Sequence, residues 1–463
     1  MAHIKITKGL DIPLSGKPHG NAKVMTPGGD ATPMTTPPQA ALDLRPFEDL
    51  KLRVLVKAGD VVKAGDPLVE DKSLEGRVFV SPTSGTVKDV LRGHKRVLQE
   101  IIIDTSKQQE FKEFTPIDPT TATRETVLEA LLSGGLFASI RSRPFSRLAD
   151  PKISPRSIFV KAVESAPFTP PAELQVEGKE HEFQTGLNAL KKLTSGKVHL
   201  VYRKDTTSKA FTNAQGVEKH TVEGPHPVAN HSLHIQHIDP ILHPNDCVWT
   251  LNAYDVISIG TLLEKGKILN ERVISIAGPG ILPDRIGYFK VKNGCPIGCL
   301  IAGRLQRGEN RLISGDPLTG HKVSVNGFLG YNDFVFCAIP ENDERELLHF
   351  FRLGLNKYSM SGAYFTGHLN NENREYAFTT SQHGEHRPFI DSTLYDEVQP
   401  LHVPTMQLVK AVMAEDFDLA ETFGILEVDS EDFALPTFVC PSKMEMTEIM
   451  KQGINRYAKE ISG

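Results

Sequence analysis

A duplicated turn constrains this chain most. Leu55–Asp60 reads LVKAGD, Val61–Asp66 reads VVKAGD, and PLVEDKSLEGRVFVSPTSGTVKDV follows to Val90. In each Lys-Ala-Gly-Asp the glycine supplies a positive φ and the aspartate offers a side-chain acceptor to its own turn. The apolar residues between turns alternate as they do in half-buried strands. A chain that reverses twice in so short a span makes short strands, and the prediction is a small, tightly folded-back β module.

That pattern resembles the barrel-sandwich hybrid of biotinyl and lipoyl carrier domains, which bear a modified lysine near a hairpin tip. Lys72, in Glu70-Asp71-Lys72-Ser73, follows Leu68 too closely, and Leu74-Glu75-Gly76 reads as the tip. Lys72 is therefore expected on the strand shoulder as an unmodified, solvated lysine. The module is assigned residues 1–105 and closes with a strand over Val97–Asp104. Residues 26–38, TPGGDATPMTTPP, have nothing to bury and are expected to form an exposed, protease-sensitive loop.

A chain of 463 residues exceeds one ordinary core and calls for several domains. With 39% hydrophobic and 24% charged residues and a net charge of −5, it has the composition of a globular protein without an electrostatic footprint for nucleic acid. No signal-like apolar core opens it, and no run approaches the roughly 18 apolar residues of a bilayer span. The expectation is a cytoplasmic protein. Its five cysteines suit reduced thiols better than a disulfide framework.

From Arg124 to Leu132 the apolar spacing is helical and stops at Gly134-Gly135. Strands are then expected at Ile158–Val163, Val198–Tyr202 and Val248–Leu251, with a helix over Glu182–Leu193. Alternating strands and helices predict an α/β layered domain over 106–257. Short strands at Arg272–Ala277, Gly287–Val291 and His321–Val325 suggest a compact β-grasp domain over 258–338. Residues 339–463 read as a helical C-terminal domain, with Asn342 an N-cap for DERELLHFF and Met446, Ile449, Met450 and Ile454 forming one apolar stripe.

Several constellations could carry chemistry. Six histidines fall between His220 and His243, yet the nearby prolines disfavour a long helix, so surface and core histidines are the simpler reading than a metal site. Cys295 and Cys299 lack the two-residue spacer and the second pair of a zinc or iron–sulfur site and read as core thiols flanking a turn. In Gly224-Pro225-His226-Pro227 the prolines fix where the imidazole points, so His226 can donate to a ligand carbonyl or to the backbone. Arg141, Arg143 and Arg147 share a loop with Phe145 and could hold a phosphate, a carboxylate or an acidic surface. Neither G-x-G-x-x-G nor G-x-x-x-x-G-K-[ST] occurs.

Taken in order, KITKGLDIPLSGKP, RGHKRVLQEIIID, SIRSRPFSR, EGPHP, RVISIAGP, LISGDPLTG and FVCPSK resemble the A-subunit family of bacterial sodium-translocating NADH:quinone oxidoreductases, nearly end to end. That family is similar in architecture to the NADH- and flavin-binding subunit of respiratory complex I and its Rnf counterpart. The resemblance implies a multidomain α/β chain: a barrel-sandwich hybrid, a Rossmann-like domain, a β-grasp domain of SLBB type and a helical C-terminal domain. In the relatives a glycine-rich loop binds flavin, whereas here Ala138-Ser139-Ile140-Arg141-Ser142-Arg143-Pro144 fills that position with side chains. The C-terminal region offers Cys440 alone for iron–sulfur ligation.

The resemblance further implies a peripheral subunit on the cytoplasmic face of the bacterial inner membrane, joined to the membrane through the other subunits of the complex. Flavins, iron–sulfur and NADH sites would belong to those partners, with no cofactor tightly bound here. Ubiquinone handling, coupled in the complex to sodium export, is one role left to the chain, and a cofactor-free scaffold is the alternative. If the two loops converge, Phe145 would wall the quinone ring while Arg143 and His226 donate to its carbonyls.

Overall fold

The computed structural model describes residues 1–25, 36–342, 351, 353–369, 374–382 and 385–462. Most of the expected loop at 26–38 and the helix expected over DERELLHFF lie outside the described residues.

The duplicated turns form as their chemistry requires. The Lys57 N–H donates to Asp60 Oδ2 at 2.9 Å and the Lys63 N–H to Asp66 Oδ2 at 2.7 Å. Gly59 and Gly65 take φ of 93° and 97°. Around them fold a four-stranded sheet, Gln39–Asp43, Leu98–Thr105, Gly85–Arg92 and Val61–Val62, and a three-stranded one, Leu52–Val54, Pro67–Asp71 and Val78–Val80. Leu42, Leu68, Phe79 and Ile101 fill the space between them. Lys72 is exposed and lies in the turn just after strand Pro67–Asp71.

A seven-stranded sheet dominates the middle of the molecule, in the order His3–Lys5, Glu218–Glu223, Lys197–Arg203, Ser157–Ala162, Val248–Asn252, Arg141–Arg143 and Arg147–Leu148. The first five are mutually parallel, and the last two form an antiparallel hairpin. Successive side chains of a strand face opposite sides. Ile158 and Val160 therefore join Leu200, Trp249 and Leu251 in a core closed by helices Arg124–Ser133, Glu180–Leu193 and Ala253–Lys265. Phe159 and Val201 join the opposite core, covered by helix His231–Ile238 and by the C-terminal helices Thr405–Met413 and Met446–Ser462.

A six-stranded mixed sheet follows: His321–Lys322, Asn310–Ser314, Val335–Pro340, Glu271–Ala277, Gly287–Lys292 and Lys23–Val24, with helix Ile297–Ile301 against it.

Several expectations need correction. Within residues 1–105 two opening strands pair outside the module: His3–Lys5 extends the seven-stranded sheet and Lys23–Val24 the six-stranded one. Such short strands gain order only by adding to an existing sheet, and Ile4 and Ile6 are buried in its second core. The boundary at 257 cuts helix Ala253–Lys265, whose Ile257, Ile259, Leu262 and Leu263 are all buried. The helices after residue 339 do not stand apart as a domain with a core of their own. Their apolar faces, Met446, Met450 and Ile454 included, share the core of the α/β sheet. The arginine loop is a hairpin whose first strand pairs with Val248–Asn252. The histidine segment forms the two-turn helix His231–Ile238, fitted between Pro227 and Pro240.

Candidate functional site

Two features compete as sites: the carboxyl edge of the parallel sheet and an aromatic groove. In open α/β sheets ligands favour the carboxyl edge where strand order reverses. Here that point lies between Ser157–Ala162 and Val248–Asn252, since the chain runs outward from Ser157–Ala162 and returns to its other side. Lys161 and Glu164 pair there at 3.0 Å. Burial works against the lysine's charge, yet Glu164 and Glu431 raise its pKa above the ordinary value. Asp255 closes a capping box with Asn252 at the start of helix Ala253–Lys265, and burial pushes it up to about 7. Burial, with Asp429 beside it, pushes Glu431 up to about 8.

Of the expected site residues, His226 follows strand Glu218–Glu223 at this edge, whereas Arg143 pairs with Val248, the first residue of its strand, so the hairpin end with Phe145 lies toward the amino end; each is engaged by protein. Arg143 is 2% exposed. Its Nη1 donates to Ser232 Oγ at 2.9 Å and its Nη2 to the Glu427 carbonyl at 3.0 Å, tying the hairpin to helix His231–Ile238 and the C-terminal segment. Phe145 packs edge-on against Tyr457 with ring centroids 6.0 Å apart. His226 Nδ1 meets Ser165 Oγ at 3.0 Å, while its backbone N–H donates to Asp11 Oδ1 at 2.8 Å. Burial holds the His226 imidazole down at about 4, so it is neutral at physiological pH. Arg143 and Phe145 share a hairpin end; no hydrogen bond or ring contact joins His226 to either among the described residues.

The other candidates resolve locally. His234 Nε2 lies 2.9 Å from the Val228 carbonyl and His231 Nε2 3.1 Å from the Leu251 carbonyl, as core histidines do. Among the described residues no group of three or more His, Cys, Asp or Glu is arranged to hold a metal ion. Leu136–Ser139 makes a short 3-10 turn with Phe137 and Ala138 buried, and Arg141 lies over the Phe47 ring at 5.6 Å.

The groove is not legible in the sequence. It has a volume of about 600 Å³ and is walled by Tyr358, Phe378 and Phe438, with Ile12, Leu14, Ile339 and Met360 continuing the apolar surface. Tyr358 and Phe438 stack with centroids 6.3 Å apart and planes 17° from parallel; Phe378 lies 6.1 Å from Phe438. Its polar edge holds Arg311, whose Nε and Nη2 donate to Glu341 at 2.9 and 3.0 Å, together with Thr380. Lys443 lines it too, its amine pushed below the ordinary value by burial.

Three of the sequence motifs meet in this groove. Ile12 and Leu14 come from the opening segment, Ile313, Pro317 and Leu318 from LISGDPLTG, and Phe438, Cys440 and Lys443 from FVCPSK. Those motifs are the only signal that could have found it. The aromatic partners Tyr358 and Phe378 sit in a stretch without periodic pattern.

Comparison with known proteins matches three segments of the chain to one family. Three family descriptions match: "NqrA N-terminal barrel-sandwich hybrid domain" over residues 4–106, "NqrA second alpha/beta domain" over 122–268 and "NQRA C-terminal domain", of SLBB type, over 273–325. The A-subunit of the Na(+)-translocating NADH-quinone reductase of Chlamydia caviae is 36% identical over 465 residues, covering 99% of this chain and 97% of that protein. Its counterpart in Chlamydia pneumoniae is also 36% identical, over 99% and 98%. That of Cellvibrio japonicus is 34% identical over 99% of this chain and 100% of its own length. A solved NAD+-reducing [NiFe]-hydrogenase in the H2-reduced state overlaps 74% of this chain and 63% of its own, at 12% identity and a TM-score of 0.37, too loosely to carry an argument. Among the described residues no helix is long and apolar enough to cross a membrane. With relatives above 30% identity matched along nearly their whole length, this chain belongs to the A-subunit family of the Na(+)-translocating NADH-quinone reductases.

Proposed function

We propose that the chain works as a peripheral, cytoplasmic-face subunit of a sodium-translocating NADH:ubiquinone oxidoreductase and that it handles the quinone in the aromatic groove. The observation that carries this reading is the pairing of ring walls with polar groups in one cavity of about 600 Å³. A quinone needs an apolar slot for its ring and a donor for each carbonyl. Tyr358, Phe378 and Phe438 supply the slot, and Lys443 and Arg387 lie within the lining as donors. His226 then supports the groove from the side, whereas Arg143 and Phe145 are held by Ser232, Glu427 and Tyr457. The His226 backbone holds Leu10 and Asp11, which lead directly to Ile12 and Leu14 in the groove wall. NADH oxidation, flavins and iron–sulfur chemistry fall to partner subunits in this reading.

Titration of the purified chain with a short-tailed ubiquinone, followed by ligand-observed NMR, tests it. Truncating a ring wall in Phe438→Ala removes side-chain burial of about 1.5–3 kcal/mol, of which a ligand sharing that wall loses a part, so binding should weaken at least several-fold. No binding by the wild type, or equal binding by the variant, would reject the groove.

A scaffold reading is favoured by a different observation. Phe351, Phe365 and Ile390 are 79%, 77% and 75% exposed, and Leu353, Leu355 and Leu369 are exposed in the same stretch. Concentrated apolar exposure marks docking surfaces. If the chain assembles normally with its partners while no quinone contact can be detected in the complex, the scaffold is the better account.

A further inference from the structure

The hairpin between strands Gly85–Arg92 and Leu98–Thr105 runs past the chain that flanks it. On one side pairing ends at Gln99, whose carbonyl accepts from the Leu44 N–H at 2.7 Å. On the other it ends at Val87, whose N–H donates to the Asp60 carbonyl at 2.8 Å. Beyond these points lies the tip, Arg92-Gly93-His94-Lys95-Arg96-Val97, and every residue of it except the glycine is exposed. Among the described residues Arg92, Lys95 and Arg96 make no ion pair, and Arg92 Nη1 donates to the Arg96 carbonyl at 3.2 Å. Of the nearby acids on the two strands, Glu100 faces Arg45 at 3.2 Å and Asp89 Oδ1 accepts from the Val90 N–H at 2.7 Å.

The tip holds its charges against a conformational cost. Lys95 and Arg96 take φ of 52° and 63°, two consecutive left-handed residues. That region suits glycine, and a residue with a Cβ is strained there. The duplicated turns of the same module place glycines, Gly59 and Gly65, at their positive φ. Here a lysine and an arginine carry the strain with their side chains in solvent. Strain kept at an exposed position points to use rather than to packing. The tip also opposes the chain as a whole in sign, since the net charge is −5. Beside the cations stand two exposed aliphatic side chains, Leu91 at 36% and Val97 at 38%.

We propose that this hairpin tip docks on an anionic lipid surface, with Arg92, Lys95 and Arg96 among the headgroup phosphates and Leu91 and Val97 at the acyl boundary. Cations set beside apolar side chains are the chemistry of the bilayer interface. An acidic protein is the poorer fit, because a stable protein interface takes about 20–30 residues from each side and the tip is a single short turn. A headgroup layer requires no matched shape. The contact is direct, beyond any attachment through partner subunits, and it is independent of the quinone reading.

Sedimentation of the full chain with vesicles tests it. The chain should pellet with mixed phosphatidylglycerol and phosphatidylcholine vesicles, stay in solution with phosphatidylcholine alone, and be released by salt. A basic side chain near an anionic surface contributes about fivefold to partitioning, so the double variant Lys95→Gly, Arg96→Gly should bind about twenty-fold more weakly. Glycine suits both left-handed positions, so this variant keeps its fold, and an unchanged or raised urea midpoint verifies that. Exchanging the two cations, Lys95→Arg with Arg96→Lys, should leave vesicle binding as in the wild type. Pelleting that does not depend on phosphatidylglycerol, no binding by the wild type, or equal binding by the glycine variant would overturn the proposal. A tip needed for assembly with partner subunits but indifferent to vesicles would assign it to an acidic protein surface and overturn it as well.

Discussion

Gly260→Ala should loosen the α/β domain, although substitution of a helix-interior glycine by alanine ordinarily stabilises. Gly260 lies in helix Ala253–Lys265 where it crosses Glu180–Leu193, and an alanine Cβ would stand 1.7 Å from the Glu182 carbonyl oxygen. The crossing is reciprocal, because a Cβ at Gly186 would stand 2.1 Å from the Val256 carbonyl oxygen. Backbone meets backbone in both places, so no rotamer change relieves the clash and the helices must part, drawing Phe183, Leu187, Val256 and Leu263 out of register. Alanine gains about 0.8–1 kcal/mol in helix propensity. Overpacking costs about 1–3 kcal/mol. With no soft neighbour to yield, the upper end applies and the net loss is about 2 kcal/mol. At a urea dependence of about 1–3 kcal/mol per molar, the unfolding midpoint should fall by about 1 M. The single tryptophan makes the assay specific: Trp249 is fully buried against Phe137 in that same core, so its fluorescence reports this domain. Gly298→Ala is the control, since its Cβ would meet only the Val325 carbonyl at 3.4 Å. An unchanged or raised midpoint for Gly260→Ala would refute the reasoning.

Asp71 and Arg77 form a buried pair at 3.2 Å under the hairpin that carries Lys72, and Arg77 also donates to the Ala149 carbonyl. Removing one partner of a buried pair costs about 3–5 kcal/mol, so Asp71→Ala should expose the N-terminal module to limited proteolysis, and resistance equal to wild type would count against the pair. Glu431 titrates at about 8 in the fold against 4.5 ordinarily, so it is neutral where an unfolded glutamate is charged. A carboxyl raised in the folded state contributes stability below its unfolded pKa and loses it as pH rises toward the folded one. Between pH 4.5 and 8 the wild type should therefore lose stability that Glu431→Gln retains. The lowered histidines His220 and His226, both at about 4, act in the opposite sense as pH falls below 6.5. Urea midpoints at pH 6 and pH 8 that drop equally in both proteins would sink the assignment.

Local chemistry and periodic pattern are readable wherever the physics is local. The KAGD turns, the helix Arg124–Ser133 with its Thr123 cap and Gly134 stop, and the central strands all follow from residues within a turn or two of one another. Strand Glu218–Glu223 escapes such reasoning because its alternation is carried by histidine and threonine, and the short helix His231–Ile238 because prolines crowd both of its ends. Arg143 and His226 stand out in the sequence for their stiff, charged or aromatic surroundings. That reasoning finds buried and directional side chains, but a sequence does not say whether a donor points at a ligand or at Glu427 and Ser165.

The sequence by itself determined the module of duplicated turns, the alternating α/β layer and the family, since each rests on near neighbours in the chain or on motifs carried along its whole length. Only the tertiary structure decided that strand His3–Lys5 belongs to a sheet completed by Glu218–Glu223 and that the C-terminal helices close that sheet's second face. It alone gathered Leu14, Leu318, Tyr358 and Phe438 into one groove. The physical reason is the same in each case. Burial and pairing between distant segments depend on which apolar faces meet once the cores form, and Gly186 and Gly260, poor helix formers by their own propensity, are needed because two helices touch there.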